Sequence, residues 1–176
     1  MIEIDVQKDF GKLKSLKAGD AVALSGVIYT ARDQAHKRIC ESITLRKHLP
    51  FDLRGAAIYY CGPTGTPPLK IIGACGPTTS RRMDPFTPFL LKNGVRILIG
   101  KGGRSPETAA AIKSAGAVYL LAPAGCGALA AQYVRSKRLR AFPDLGPEAV
   151  YELKVSGFPL VVGIDSAGRS IFKDNA

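Results

Sequence analysis

Short apolar runs that stop at glycine recur along the chain with helix-like stretches between them, and this alternation limits the possible folds more than any other feature. "AVALSGVIYTA" (21–31), "GAAIYYCGP" (55–63), "LKIIGACGP" (69–77), "VRILIGKGG" (95–103) and "AVYLLAPAG" (117–125) each read as a buried strand ending at a turn. "RDQAHKRICESITLRKH" (32–48) places Ala35, Ile39 and Ile43 at helical spacing and leaves a basic outer face. "DPFTPFLLKNG" (84–94) has prolines near its start and Gly94 at its stop, the asymmetry of a helix. "SPETAAAIKSAG" (105–116) offers Ser105 as N-cap and Gly116 as terminator. "GALAAQYVRS" (127–136) reads as another helix, and "LRAFPDLG" (139–146) as a short strand or loop. "FPLVVGIDSAGRSIF" (158–172) reads as a closing hairpin around Ser166 to Gly168. Strands alternating with helices predict an α/β fold, a mixed sheet covered by helices. At 176 residues, without a linker, repeat or low-complexity segment, residues 1–176 form one expected domain.

Nothing in the sequence reads as a membrane span, because the apolar stretch "AVYLLAPAGCGALAA" is interrupted by Pro123 and small residues. The first fifteen residues carry acids and no apolar h-region, so a cytoplasmic location is expected. Cys40, Cys61, Cys75 and Cys126 form no CxxC pair, which favours free thiols over a disulfide framework or a metal site within the chain. Twenty-five basic against fourteen acidic residues give a net charge of +11. The basic residues are spread, aromatics are few, and a solvated helix end accounts for the densest run, "YVRSKRLRAF" (133–142). Nucleic acid is therefore not the expected partner.

Two glycine-rich segments resemble nucleotide loops and lose to simpler readings. "GCGALA" (125–130) fits G-x-G-x-x-A, with Asp144 about twenty residues on, where a ribose-binding acid belongs. The motif stands late in the chain, and Asp144 lies in "FPDLG", not at the end of a long apolar strand; a tight strand-to-helix turn explains the glycines better. "GPTGTPPLK" (62–70) has a displaced lysine and two prolines where a phosphate cradle needs N–H donors.

Three other segments, "TARDQAHKR" (30–38), "GPTTSRRMD" (76–84) and "IGKGGRS" (99–105), each begin where an expected strand ends, the position at which α/β sheets build their sites. Together they supply Arg32, His36, Thr78, Thr79, Arg82 and Lys101. Three cations and two hydroxyls brought together in this way suit a small dicarboxylate, since arginine forks bind carboxylates in pairs of hydrogen bonds and glycine lets backbone amides approach. The alternative is three unrelated turns with solvent-facing charges.

"SGVIYTARDQAHKR", "GACGPTTSRRMDPF" and "IGKGG" resemble the signature blocks of the class I, iron–sulfur-dependent fumarases, in their β subunit or the equivalent C-terminal domain. L-tartrate dehydratase β subunits share these blocks. The resemblance implies a swivelling β/β/α domain and an α-subunit partner carrying a [4Fe–4S] cluster, which this chain would not itself hold. It implies reversible hydration of fumarate to L-malate, with an open iron of the partner's cluster acting as Lewis acid.

Carried across by matching residues, the resemblance makes Thr78 the base, its alkoxide stabilised by Arg82 and Lys101. Thr79 and Arg82 would bind one substrate carboxylate and Arg32 the other. His36 would face the substrate or brace Arg32, and Arg81 would point outward. Cys75 stands where many relatives carry a smaller residue. L-tartrate dehydration and a non-catalytic dicarboxylate-binding module remain the competing functions.

Overall fold

The computed structural model describes residues 1–172. Two long antiparallel strands, β2 (Ala21–Thr30) and β7 (Val150–Ile164), form its spine, in register from Ala21 opposite Val161 to Tyr29 opposite Glu152. Each shares its remaining edge between two shorter strands. On β2, β1 (Ile2–Asp5) pairs in parallel with Val22–Ser25, and β3 (Ala57–Tyr59) pairs in parallel with Tyr29 and Thr30. On β7, β6 (Val134–Ala141) pairs antiparallel with the first half and β5 (Val118–Leu121) with the second. Strand β4 (Ile97–Gly100) lies between β3 and β5, parallel to both.

The ring β2–β3–β4–β5–β7 therefore closes, because β2 and β7 pair with each other as well as with their outer neighbours. Closure removes open edges from those five strands and leaves β1 and β6 as flanking extensions. Where the spine bends, a register shift lies between Leu24 and Gly26, and Gly26 adopts φ 111°. The Gln7 side chain fills the bulge, its Oε1 accepting from Val27 N at 2.9 Å and its Nε2 donating to Val27 O at 3.2 Å.

Strands β3 to β5 are apolar on both faces, as parallel strands must be when each face is covered. Ala57, Tyr59, Ile97, Ile99, Val118 and Leu120 point into the ring beside Val22, Leu24, Ile28, Leu160 and Val162. The alternating residues Ile58, Leu98 and Tyr119 point outward. There they meet Ala35 and Ile39 of α1 (Asp33–Thr44), Leu90 and Leu91 of α2 (Thr87–Lys92) and Ile112 of α3 (Pro106–Ala115). Each such Leu or Ile contributes about 1.5–3 kcal/mol by leaving water. The caps read from the sequence are present: Ser105 Oγ accepts from Thr108 N at 3.2 Å, and Gly116 is left-handed.

The chain is thus a single-domain α/β structure whose mixed sheet is flanked by helices. Four local readings change. "LKIIGACGP" is not a strand: Thr64 N donates to Ala74 O and Ala74 N to Thr64 Oγ1, so the segment folds back on the preceding loop. "GALAAQYVRS" splits into the short α4 (Gly127–Ala131) and the start of β6, so the basic run Arg135–Arg140 is an exposed strand and not a helix end. Strand β7 begins at Val150, well before the expected hairpin, and β1 forms near the start of the chain, where no strand is expected. Among the described residues no helix is long and apolar enough to cross a membrane.

Candidate functional site

The parallel strands β2, β3 and β4 end on the same side of the ring, and the three polar segments begin there. Residues 77–80 lie between the ends of β3 and β4 like a short inserted strand. Pro77 bridges Cys61, Thr78 N donates to Tyr60 O at 2.7 Å, and Thr79 bridges Lys101. Ser80 N donates to Lys101 O at 3.0 Å, while Lys101 N donates to Ser80 Oγ at 3.0 Å. Three backbone and side-chain groups of the turn are thereby spoken for, and the hydroxyl-bearing residues Thr78 and Thr79 stay partly or fully exposed.

Glycine is required where backbones touch. A Cβ on Gly100 would run into Ser80 Oγ and lie 2.7 Å from Tyr60 Cδ2. A Cβ on Gly127 would lie 2.9 Å from Gly76 N. The second glycine of "GCGALA" therefore lets α4 press against the Gly76–Pro77 turn. Asp144, the apparent ribose acid, is instead taken by Arg38 in a two-toothed pair at 2.9 and 2.6 Å.

Beneath the turn lies a residue that the sequence reading missed. The Arg104 side chain is wholly buried, its Nε 2.7 Å from Asp84 Oδ1 and its Nη2 2.8 Å from Thr87 Oγ1. Its guanidinium carbon sits 5.3 Å from the Tyr60 ring centre and 5.0 Å from that of Tyr119. Asp84 Oδ2 also accepts from Ser105 N at 2.7 Å, and Tyr119 OH donates to Ser80 Oγ at 2.8 Å. One buried cation thus ties the "SRRMD" turn to the start of α3. Its position directly after the "GKGG" glycines gives no periodic signal.

Arg32 is the N-cap residue of α1, and its Nη2 lies 3.2 Å from Glu148 Oε1. His36 is fully buried one turn later, packed edge-on to Tyr60 and tilted against Phe86. Its Nδ1 is 2.9 Å from Arg32 O; a carbonyl only accepts, so Nδ1 carries the proton and Nε2 presents a lone pair. Burial pushes the imidazole down to about 4, which makes it neutral at pH 7. Arg82 is half-exposed, and its Nε donates to Asp33 Oδ1 at 3.0 Å, joining the turn to α1. Arg81 is exposed, and no ion pair involves Lys101 among the described residues. The fold thus brings Thr79 and Lys101 side by side and links Arg82 to the α1 start that carries Arg32. It turns His36 inward, beneath the surface.

Cys61 and Cys75 meet inside the ring, where their shared hydrogen bond and burial raise the Cys61 thiol well above the ordinary range. Cys40 and Cys126 lie elsewhere, on α1 and at the start of α4. Among the described residues no three His, Cys, Asp or Glu side chains form a group that could hold a metal ion. Among the described residues the donor set does not fit an iron–sulfur cluster.

The model of the fumarase C-terminus family matches residues 1–175. A chain of Methanocaldococcus jannaschii, provisionally named L(+)-tartrate dehydratase subunit beta, is 43% identical over 172 residues, covering 92% of this chain and 86% of that one. The L(+)-tartrate dehydratase subunit beta of Escherichia coli K12 is 35% identical over 169 residues, covering 93% and 82%. A Geobacillus stearothermophilus protein provisionally named class I fumarate hydratase is 37% identical over 171 residues, 93% of this chain and 32% of that longer protein. With a family match along nearly its whole length and relatives of this identity, the chain belongs to the fumarase C-terminus family.

Proposed function

We propose that residues 1–176 are the β subunit of a hydro-lyase that adds water reversibly across the double bond of a four-carbon dicarboxylate, fumarate to L-malate. The observation that carries this reading is the gathering of Thr78, Thr79, Arg82, Lys101 and Arg32 at the ends of adjacent parallel strands, on a turn locked by buried partners. The α subunit is the expected partner, and the [4Fe–4S] cluster is expected there, since the described residues of this chain do not fit one.

This chain binds anions and moves a proton. Arg32 and Arg82, reached from α1 and from the turn, hold the two carboxylates, and Thr79 adds a hydroxyl donor. Thr78 takes the proton from the carbon next to one carboxylate as hydroxide leaves the neighbouring carbon. Lys101, whose backbone is pinned to Ser80, stabilises the Thr78 alkoxide before the transfer and the charge that then develops on the carboxylate. His36 braces Arg32 through its backbone carbonyl, since its ring lies fully buried.

Fumarate production from malate, measured anaerobically with this chain and a candidate α subunit bearing its reconstituted cluster, tests the reading. Turnover is expected only in the mixture. Two relatives carry tartrate dehydratase names, and that favours one alternative substrate, L-tartrate going to oxaloacetate. Activity on tartrate with silence on malate would replace the first substrate by the second. Silence on both, with complex and cluster intact, would leave a dicarboxylate-binding module.

A further inference from the structure

The irregular helical stretch Pro143–Glu148 lies along α1 and is held to it at two points. At one, Arg38 forks onto Asp144 with both oxygens engaged. At the other, Arg32 offers only Nη2 to Glu148 Oε1 at 3.2 Å, and Gln34 N donates to Glu148 Oε2 at a long 3.4 Å. Arg32 supplies no side-chain cap to α1, so the Glu148 carboxylate is the anion at the start of a 12-residue helix. The grip is loose on Arg32's side as well, because Arg32 Nε is buried without a partner. His36 Nε2 and Asp33 Oδ2, also on the first turn of α1, are buried and unpartnered too. Native proteins rarely leave so many polar atoms unsatisfied in one place unless water or another ligand binds there.

The Arg32 stem is held independently of this carboxylate. A Cβ on Gly62 would lie 3.0 Å from Arg32 Cδ, 3.1 Å from Arg32 Nη1 and 3.0 Å from Pro147 O. The guanidinium therefore lies close against the Gly62 backbone. Arg82, the other proposed clamp, is occupied in the same manner, with a single contact from Asp33.

We propose that Glu148 is a built-in stand-in for a substrate carboxylate: it occupies Arg32 and the α1 N-terminus in the free protein and is displaced when a dicarboxylate binds. The identity of the ligand rests on the hydro-lyase reading, whereas the displacement rests on the geometry around Arg32. Displacement costs every anion that reaches Arg32 the same amount. A dianion that also engages Arg82 offsets the loss of the Glu148 contact, and a monocarboxylate reaching Arg32 alone merely exchanges one carboxylate for another. Glu148 thus sets an affinity threshold through Arg32, since its negative charge weakens binding of every anion at the site, and a dianion passes that threshold by its second contact at Arg82.

The test is titration calorimetry of succinate, an unreactive dicarboxylate, into the α–β complex and into the full chain. Glu148→Gln keeps the shape of the side chain and removes one charge a few ångströms from the ligand. That change should tighten succinate binding about three- to tenfold, the Coulomb effect of one unit charge at that range in well-hydrated surroundings. Glu148→Ala leaves the place open, so acetate should fill it and compete with succinate far more strongly than in the wild type. Weaker or unchanged succinate binding by Glu148→Gln would overturn the proposal, as would a wild-type complex that binds no succinate. If Glu148→Ala does not fold, the Glu148→Gln arm decides alone. A complex silent on malate and tartrate but showing the succinate shift would refute the hydro-lyase reading and keep the stand-in.

Discussion

Replacing Arg104 by Met removes the one cation on which the floor of the site is built. Arg104 is wholly buried and Asp84 is 9% exposed, so solvent cannot take over when the guanidinium is gone. Methionine fills much of the volume, and the change therefore reports on charge and hydrogen bonding more than on a cavity. Asp84 would keep the Ser105 N–H and lose its countercharge, while Thr87 and Tyr60 would each lose a polar partner. Breaking a buried pair by deleting one member costs about 3–5 kcal/mol, because the remaining charge stays desolvated. Against a total stability of about 5–15 kcal/mol this is a large share. For a chain of this size it corresponds to a melting temperature lower by about 10 °C.

Urea unfolding of wild type, Arg104→Met, Asp84→Asn and the double variant measures the loss and assigns it. If the uncompensated carboxylate is the cause, Asp84→Asn should recover about half of the loss in the Arg104→Met background, although alone it is destabilising. A loss below about 1 kcal/mol, or no recovery in the double variant, would refute the view that this pair supports the turn.

Three further outcomes are expected. Thr78→Ala in the complex should lower turnover about 10²–10⁴-fold, the range of a general base, while association with the α subunit persists on gel filtration. Near-normal turnover would reject Thr78 as the base. Gly100→Ala should cost about 1–3 kcal/mol by overpacking against Ser80 and Tyr60, read as a fall in urea midpoint at constant slope. Burial holds His36 near 4, below its unfolded value of about 6.5, so the unfolded chain takes up a proton that the native chain refuses as pH falls between those values. The stability this group contributes is present above pH 6.5 and is lost on acidification. Wild type should therefore lose about 2 kcal/mol more than His36→Gln between pH 7 and pH 5 in urea unfolding, and equal losses would contradict a neutral buried imidazole.

The strands and helices with strong periodicity were legible before any coordinates. The ends of β3, β4 and α3 fall close to the expected glycine and cap positions, because turn and cap chemistry is local. What sequence could not supply is pairing at a distance. Ring closure depends on β7 pairing with both β2 and β5, and the first half of β7, "VYELKVS", lacks the continuous apolar run expected of a buried strand because one of its faces is solvated. Strand β6 was hidden for a similar reason: its charges line an exposed strand, where they resemble the polar face of a helix. Segment 69–77 erred in the opposite direction, since Ile72 and Cys75 are buried by tertiary contacts without joining a ladder. In the site, residue types at strand ends pointed to Arg32, His36, Thr78, Thr79, Arg82 and Lys101. Their partners Glu148, Asp33, Arg104 and Asp84 were not singled out, because each partnership crosses a long stretch of chain.

Net charge, the most unusual bulk property of the chain, proves a poor guide to the site. Arg135, Lys137, Arg138 and Arg140 all lie on β6, whose outer edge pairs with no other strand among the described residues. Cations along such an edge discourage pairing with other chains, and this accounts for the densest basic run without any ligand. Lys137 and Arg140 are partly engaged by Tyr151, Thr66 and Glu152, as surface cations usually are. Arg32 and Arg82 add nothing to the local excess, because Glu148 and Asp33 balance them one for one. The cations proposed to bind substrate are therefore recognised by the opposite sign: each is held by a carboxylate of the chain itself, at a helix start or a strand-end turn, with polar atoms beside it left unpaired. A surface of the same net charge built from β6 alone would attract anions and select none, since exposed charges are screened within about 8 Å at physiological salt. Selectivity comes from pre-oriented guanidinium groups, and Arg32 and Arg82 are the ones the chain's own carboxylates already hold in place.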